Sequence, residues 1–489
     1  MKNQVQLIAY IDRFSGGGID AFHSLLQGPL CGVFGGVHLL PFFYPVDGSD
    51  AGFDPIDHTS VDPRLGTWED LRKLSSSVDV MADLIVNHAS SRSQQFEDFS
   101  RYGAASEYGR MFLTLDQVFP QGATEAQLLG IYRPRPGLPF TYTTLLNGEK
   151  RLLWTTFTPE QVDLNVGDAK TQEYLSRILQ RFHKAGITSI RLDAAGYAIK
   201  KAGTSCFMIP ETFTFIQALS QQAKALGIEV LVEIHSYYKK QIEIACQVDM
   251  VYDFALPPLV LHALFTADFE PLVNWMKIRP RNAVTVLDTH DGIGIVDVGG
   301  DADGNAGLLS PAQIDTLVET IHARSNGESK LATGGAANNL DLYQVNCTYF
   351  DALGRDEALY LVARALQFFI PGIPQIYYVG LLGSTNDLDL LARTGVGRDI
   401  NRHYFTAEEV ESRLSSQLVQ RLVELIRLRN SHPAFEGECT FESLARHLLE
   451  ITWRRDGHTA KLVVNLARLQ ARLEFSEGNH RLPTQLQIG

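Results

Sequence analysis

The chain has 489 residues, 45% hydrophobic and 20% charged, with a formal net charge of −13. That length supports a large core with additional domains, and the acidic balance argues against a general binder of nucleic acid or of anionic membranes. The cysteines Cys31, Cys206, Cys246, Cys347 and Cys439 show no paired spacing, which argues against a disulfide framework or a zinc site and for a reducing compartment.

The N-terminal MKNQVQLIAYIDRF enters a strand-like run at once, with too short an apolar region for a signal peptide. No apolar stretch approaches the roughly 20 residues of a bilayer span, so a cytoplasmic protein is expected. Strands are predicted near Leu7–Ile11, Gly36–Phe42, Val80–Val86, Ser189–Leu192, Glu229–Glu233, Val251–Phe254, Ala283–Leu287 and Gln375–Val379. About eight runs is the number that closes a (β/α)8 TIM barrel, so an α/β fold follows. Between them, apolar residues recur three and four apart, as at Leu175, Ile178, Leu179 and Phe182, or Phe213, Ile216, Leu219 and Ala223. These read as helix faces that pack on the barrel. Gly16, Gly17 and Gly18 lack the spacing of a phosphate loop and read as a turn.

Two intervals are too long for simple connections. Residues 89–168 are rich in Pro, Gly and aromatics, including RPRPGLPF at Arg133–Phe140, and 292–354 carries DVGGDADGNAG and NNLDLYQ. Each predicts an inserted, loop-rich domain. The barrel then comprises 1–88, 169–291 and 355–433. After Pro433, short alternating runs at Leu448–Trp453, Lys461–Leu466 and Ala471–Phe475 predict a small antiparallel β domain over 434–489.

Four strand runs end in polar residues: MADLIVNH at His88, SIRLDAAGY with Arg191 and Asp193, EVLVEIH with Glu233 and His235, and AVTVLDTHD at His290 and Asp291. Charge at a strand end is costly unless paired. Four such ends in one barrel imply a shared polar pocket at its C-terminal face. Arg191 lies two residues before Asp193, so both project to one side of the strand, and a cation there keeps a carboxylate ionised. Any one of these acids could be a structural ion-pair partner. Together, Asp193, Glu233 and Asp291 fit glycoside chemistry, which needs one carboxyl group to attack or activate and another to donate a proton. His88 and His290 could each be a satisfied core residue. No HExxH or close histidine pair is present, so no metal and no cofactor is expected.

The segments DLIVNH (Asp83–His88), RLDAAGY (Arg191–Tyr197), Glu233 and THD (Thr289–Asp291) resemble the four signature regions of the α-amylase-like glycoside hydrolases. Further stretches, among them HLLPFF, DGSDAGFDPIDH, IYRPRPGLPF, LDAAGYAIKKAGTSCFM, VYDFALPP, NLDLYQVN and GRDINRHYF, look like the branch of that family that phosphorolyses sucrose. The likeness runs to about Phe405. It implies Asp193 as the nucleophile of a retaining double displacement, Glu233 as general acid then base, and Asp291 as the stabiliser of the oxocarbenium-like transition state. A general acid requires surroundings that raise its pKa, and that is expected of Glu233. Asp50, His88, Arg191, His290 and Arg398 would hold the glucosyl ring. Phe53 and Phe157 would form an apolar platform, with Tyr197 and His235 lining the pocket. Arg135, Asp341, Leu342, Tyr343 and Gln344 would shape the acceptor side, with Arg135 as the cation for phosphate and loop movement exchanging it with Tyr343 and Gln344. Gly196-Tyr197 stands where many amylases carry Lys-His, which weakens a starch-cleaving reading. Asn87 matches a residue that holds structural calcium in many amylases; the phosphorolytic branch is calcium-free, so none is expected.

The implied partners are small molecules: sucrose, phosphate, and alternative sugar or polyol acceptors. Neither nucleic acid nor a membrane is among them, and the sequence leaves monomer and homodimer open. The rival readings are a phosphorylase of sucrose 6′-phosphate, glucosylglycerol or glucosylglycerate, a sucrose hydrolase or transglucosidase, and a non-catalytic barrel that acts as a binding partner.

Overall fold

The computed structural model describes residues 1–48, 50–134, 137–301, 304–333, 344–477, 480–481 and 486–488. Eight parallel strands close into a barrel: β1 (Gln6–Ala9), β2 (Gly36–Leu39), β3 (Asp79–Ile85), β4 (Ser189–Asp193), β5 (Glu229–Val232), β6 (Met250–Asp253), β7 (Ala283–Thr285) and β8 (Ile373–Tyr377). Neighbours in space are neighbours in sequence, and β1 closes on β8. Apolar runs with little polar alternation are what a parallel sheet covered by helices on its outside needs. The helix Ala169–Lys184 shows how that cover is made. The Asp168 side chain caps its first turn through the Lys170 N–H, Leu175, Ile178, Leu179 and Phe182 are buried on one face, and Arg181, His183 and Lys184 end it. Several predicted runs stop early, among them Gly36–Phe42 at Leu39 and Ala283–Leu287 at Thr285, and two give way to helix. Ile11 opens the helix Ile11–Ser15, and Tyr378 opens the helix Tyr378–Leu381. A short buried helical turn and a buried strand share the same apolar composition, so periodicity does not separate them.

Between β3 and β4 the chain leaves the barrel. His88–Ser90 pairs antiparallel with Gln161–Asp163, and Phe140–Thr144 with Lys150–Trp154. A buried ammonium fastens this excursion to the barrel. Lys200 Nζ donates to Asn87 Oδ1 at 2.7 Å and to the Tyr197 carbonyl, and pairs with Asp163 Oδ2 at 2.6 Å, with only 1% of its side chain exposed. The Asn87 side-chain oxygen is therefore occupied by a protein cation.

Between β7 and β8, Ile293–Gly294 pairs with Gln344–Val345. The helices Pro311–Arg324 and Glu328–Thr333 fill much of a stretch expected to be loop-rich. A start signal was present there: Ser310 and Gln313 form a capping box, and Pro311 occupies the first turn. At the C-terminus, β9 (Glu438–Ala445), β10 (Leu448–Arg455), β11 (His458–Asn465) and β12 (Gln470–Glu477) form an antiparallel sheet, with the short strands His480–Arg481 and Leu486–Ile488 beside β12. β9 was not anticipated. It is a mostly exposed edge strand with too little apolar alternation to register. Trp453 Nε1 donates to the Phe369 carbonyl at 2.7 Å and docks the sheet on the barrel. Among the described residues no helix is long and apolar enough to cross a membrane, and the five cysteines are free thiols.

Candidate active site

The C-terminal ends of β4, β5 and β7 converge on one pocket. Asp193, Glu233, Asp291, Asp50, Phe53, His88, Phe157, Tyr197, His235, His290, Gln344 and Arg398 all line it. Arg191 lies beneath, fully buried, and is the hub. Its Nη1 donates to Asp83 Oδ1 at 2.6 Å and to Asp193 Oδ1 at 2.9 Å, while Nη2 pairs with Glu233 Oε1 at 3.1 Å. Register explains the first two contacts, because Arg191 stands opposite Asp83 on β3 and Asp193 follows on the same face of β4. Asp83 is itself held by His38 at 3.1 Å. Contact with His38 and the charge of Arg191 outweigh its burial and keep it ionised, at about 2.

The residue after Asp193 is strained to purpose. Ala194 has φ +54°, a region that favours glycine. That kink turns its N–H onto Glu233 Oε2 at 3.1 Å. Glu233 is therefore tied to the strand that bears Asp193 as well as to its own. Asp193 and Glu233 sit on the two Nη atoms of one guanidinium, which brings the two carboxyl groups to one site.

Asp193 and Asp291 differ in charge environment. Burial, with Glu233, Asp83 and Asp291 nearby, pushes Asp193 well above the ordinary carboxylate range against the pull of Arg191. Asp291 goes the other way. Burial would raise it, but the guanidinium of Arg398, with those of Arg402 and Arg191, holds it far below. Its Oδ1 lies 2.9 Å from Arg398 Nη1. A lifted pKa is found on Asp193. The cause is that four acids share the space around one buried arginine, so the cluster retains a proton as a group.

The remaining walls come from several connections. His88 Nε2 meets the Phe53 carbonyl at 2.9 Å. Phe157 packs edge-on to His88 and Tyr197, with centroids at 5.5 and 5.2 Å. Phe53 stacks on His290 at 4.8 Å and 11°. Burial keeps the His88 and His290 imidazoles neutral, with His290 lowered to about 3. Arg135, Asp341, Leu342 and Tyr343 lie outside the described residues. Their neighbours Pro134 and Gln344 both reach the pocket wall.

Three residues escaped the sequence. Gln161 reaches His88 Nε2 at 3.1 Å and Asp50 Oδ2 at 3.5 Å, and it arrives only through the antiparallel pairing with 88–90. Arg402 is fully buried 3.8 Å from Asp291 Oδ1 and 3.9 Å from Asp50 Oδ1, with Nε donating to the His290 carbonyl. It is in the GRDINRHYF motif, so its signal was available. Asp297, on His235 Nδ1 at 2.9 Å, had none. Glu233, His235 and Asp291 bring donor atoms within 4.8 Å of one another. Arg191 and Arg398 already neutralise the two acids and Asp297 holds the imidazole, so the set suits an uncharged polyol better than a cation.

The model of the alpha-amylase catalytic domain matches residues 32–256. A sucrose phosphorylase of Agrobacterium vitis is 59% identical over 97% of this chain and 98% of its own length. Another, from Bifidobacterium adolescentis, is 53% identical over 94% and 92%. The crystal structure of a sucrose 6F-phosphate phosphorylase from Thermoanaerobacter thermosaccharolyticum superposes with a TM-score of 0.90 at 37% identity, covering 100% of this chain and 97% of that one.

Proposed function

The chain belongs to the sucrose phosphorylase family of α-amylase-like enzymes, and on that premise we propose that it cleaves sucrose with inorganic phosphate to α-D-glucose 1-phosphate and D-fructose. The observation that carries this reading is identity above half, over nearly the whole chain, to two sucrose phosphorylases. Geometry alone supports two-carboxylate glycoside chemistry and leaves the acceptor open.

Asp193 attacks the anomeric carbon of the glucosyl ring while Glu233 delivers a proton to the departing fructosyl oxygen. The proton retained by the acid cluster must stand on Glu233 and the charge on Asp193 when sucrose is bound. Asp291, locked in its ionised form by Arg398 and Arg402, faces the positive charge that develops at the ring. Asp50, His88 and His290 supply acceptors and donors to the ring hydroxyls around it. The product of this step is a β-glucosyl ester on Asp193. Phosphate then attacks from the side fructose has left, passing its proton to Glu233, and two inversions give retention. Arg135, next in sequence after Pro134, supplies charge for phosphate. Five unpaired thiols fit a reducing, cytoplasmic setting.

Incubation with sucrose, with and without phosphate, followed by anomer-resolved product analysis tests the reading. Phosphate-dependent α-glucose 1-phosphate is expected. The β anomer, or free glucose alone, would reject it. Sucrose 6F-phosphate, which differs by one phosphoryl group on the fructosyl side, belongs in the same assay; faster turnover of that donor would shift the assignment to it.

A further inference from the structure

Asp297 takes no part in the reaction as drawn, yet it is fully buried against the acceptor wall. Its Oδ2 accepts from His235 Nδ1 at 2.9 Å, and its Oδ1 accepts from the Ser236 N–H at 3.1 Å and from Gln241 Nε2 at 2.7 Å. The contact is built into the backbone. A Cβ on Gly294 would meet Asp297 Oδ2 at 2.2 Å and His235 Nδ1 at 3.3 Å. Phe254 stacks on the imidazole at 3.8 Å and 15°, fixing its plane. The far nitrogen, His235 Nε2, faces Gln344 Nε2 at 3.3 Å, while Gln344 Oε1 accepts from the Gly292 N–H at 3.3 Å. With Nδ1–H given to Asp297, a neutral ring can accept from the amide at Nε2. Adding a proton would set two N–H donors against each other there and turn Nε2–H towards any anion in the pocket.

We propose that Asp297 is a positioning residue that lets His235 gain a proton when inorganic phosphate occupies the acceptor side, and lose it when neutral fructose does. The inference rests on the phosphorolysis reading above. Phosphate and fructose must use the same side in alternate half-reactions, and an acidic chain needs a local cation for the first and a neutral hydrogen-bonding surface for the second. The proton comes from dihydrogen phosphate or from solvent and returns when the product leaves. Three acids face the ring: Asp297 from the connection after β7, Glu233 from the end of β5 and Asp291 from the end of β7. Burial alone would drive the imidazole neutral, but the charge and hydrogen bond of Asp297, joined by Glu233 and Asp291, lift it above the ordinary histidine range.

The test is Asp297→Asn, which keeps the shape and removes the charge. An amide can also offer N–H to Nδ1 and invert the tautomer. The phosphate KM at neutral pH should rise about tenfold or more, since ~1.4 kcal/mol is a factor of ten. Release of fructose from sucrose without phosphate should stay within about threefold, a difference of under ~1 kcal/mol. A raised imidazole pKa means the cation is present at low pH and lost as pH climbs through that value, so the wild-type phosphate KM should climb there. In Asp297→Asn that limb should move to lower pH, and Asp297→Glu should restore part of it. The ionisation of phosphate itself is common to all three and cancels. An unchanged phosphate KM and limb would overturn the proposal. So would equal losses in both half-reactions with the limb unmoved, which is the mark of a merely structural role. If the wild type made no glucose 1-phosphate, the functional reading would fail by itself. The ¹⁵N NMR titration of His235 in wild type and Asp297→Asn would then decide the dyad, and identical titrations would overturn it.

Discussion

The two sides of the pocket are built by different means. The carboxylate side stands on the ends of β4, β5 and β7, with Asp193, Glu233 and Asp291 each tied to a guanidinium that is itself mostly or wholly buried. The opposite side, the one proposed for the acceptor, is assembled from long connections: Pro134 from the excursion after β3, and Gln344 and Asp297 from the stretch after β7. Strand ends in a closed barrel have their positions fixed by hydrogen-bonded neighbours on both sides, whereas a connection is placed only by what it packs against. On the proposed function, the bond-breaking chemistry belongs on the first, and the choice of acceptor on the second.

The largest effect should come from breaking the first side. Asp193→Ala closes the covalent route and should cost several orders of magnitude in turnover, read from the initial rate of glucose 1-phosphate formation. Retention of about a tenth of wild-type turnover would remove Asp193 from its role. Glu233→Gln should be nearly as severe with sucrose, and markedly milder with α-glucosyl fluoride, whose leaving group needs no proton. Equal losses with both donors would contradict the general-acid assignment.

The junction of the two sides comes next. Lys200→Ala leaves Asp163 buried without its cation and should cost about 3 kcal/mol or more of stability, measured by denaturant unfolding. Because a protein ammonium occupies Asn87, exhaustive chelation of the wild type should leave turnover unchanged; loss restored by Ca²⁺ would show a second cation at that junction. The smallest and most selective change belongs to the acceptor side. Arg135→Ala should raise the phosphate KM and the share of free glucose, with little change in fructose release. Equal loss in both half-reactions would place Arg135 on the carboxylate side.

The buried layer beneath the pocket adds a contrast. Arg364 Nη2 donates to Asp288 Oδ2 at 2.6 Å just below His290 and Asp291, and a Cβ on Gly380 would meet that carboxylate oxygen at 1.9 Å. Neither residue drew attention in the sequence. A lone arginine inside the apolar helix Glu357–Phe369 carries no spacing signal, and its partner is 76 residues away.

What the sequence determined by itself were the features written in local order. Eight apolar runs, three acids at their ends and the Arg191–Asp193 spacing are properties of single strands, where alternation and termination follow from neighbouring residues. What only the tertiary structure decided were the long-range meetings. Arg191 carries both Asp193 and Glu233; Lys200 fills the place beside Asn87; Gln161 joins the pocket wall; and Asp297 stands behind His235. Each depends on two segments far apart in the chain being brought within a few ångströms. At that range Coulomb energies and desolvation outweigh local propensity, and no pattern within one segment encodes them.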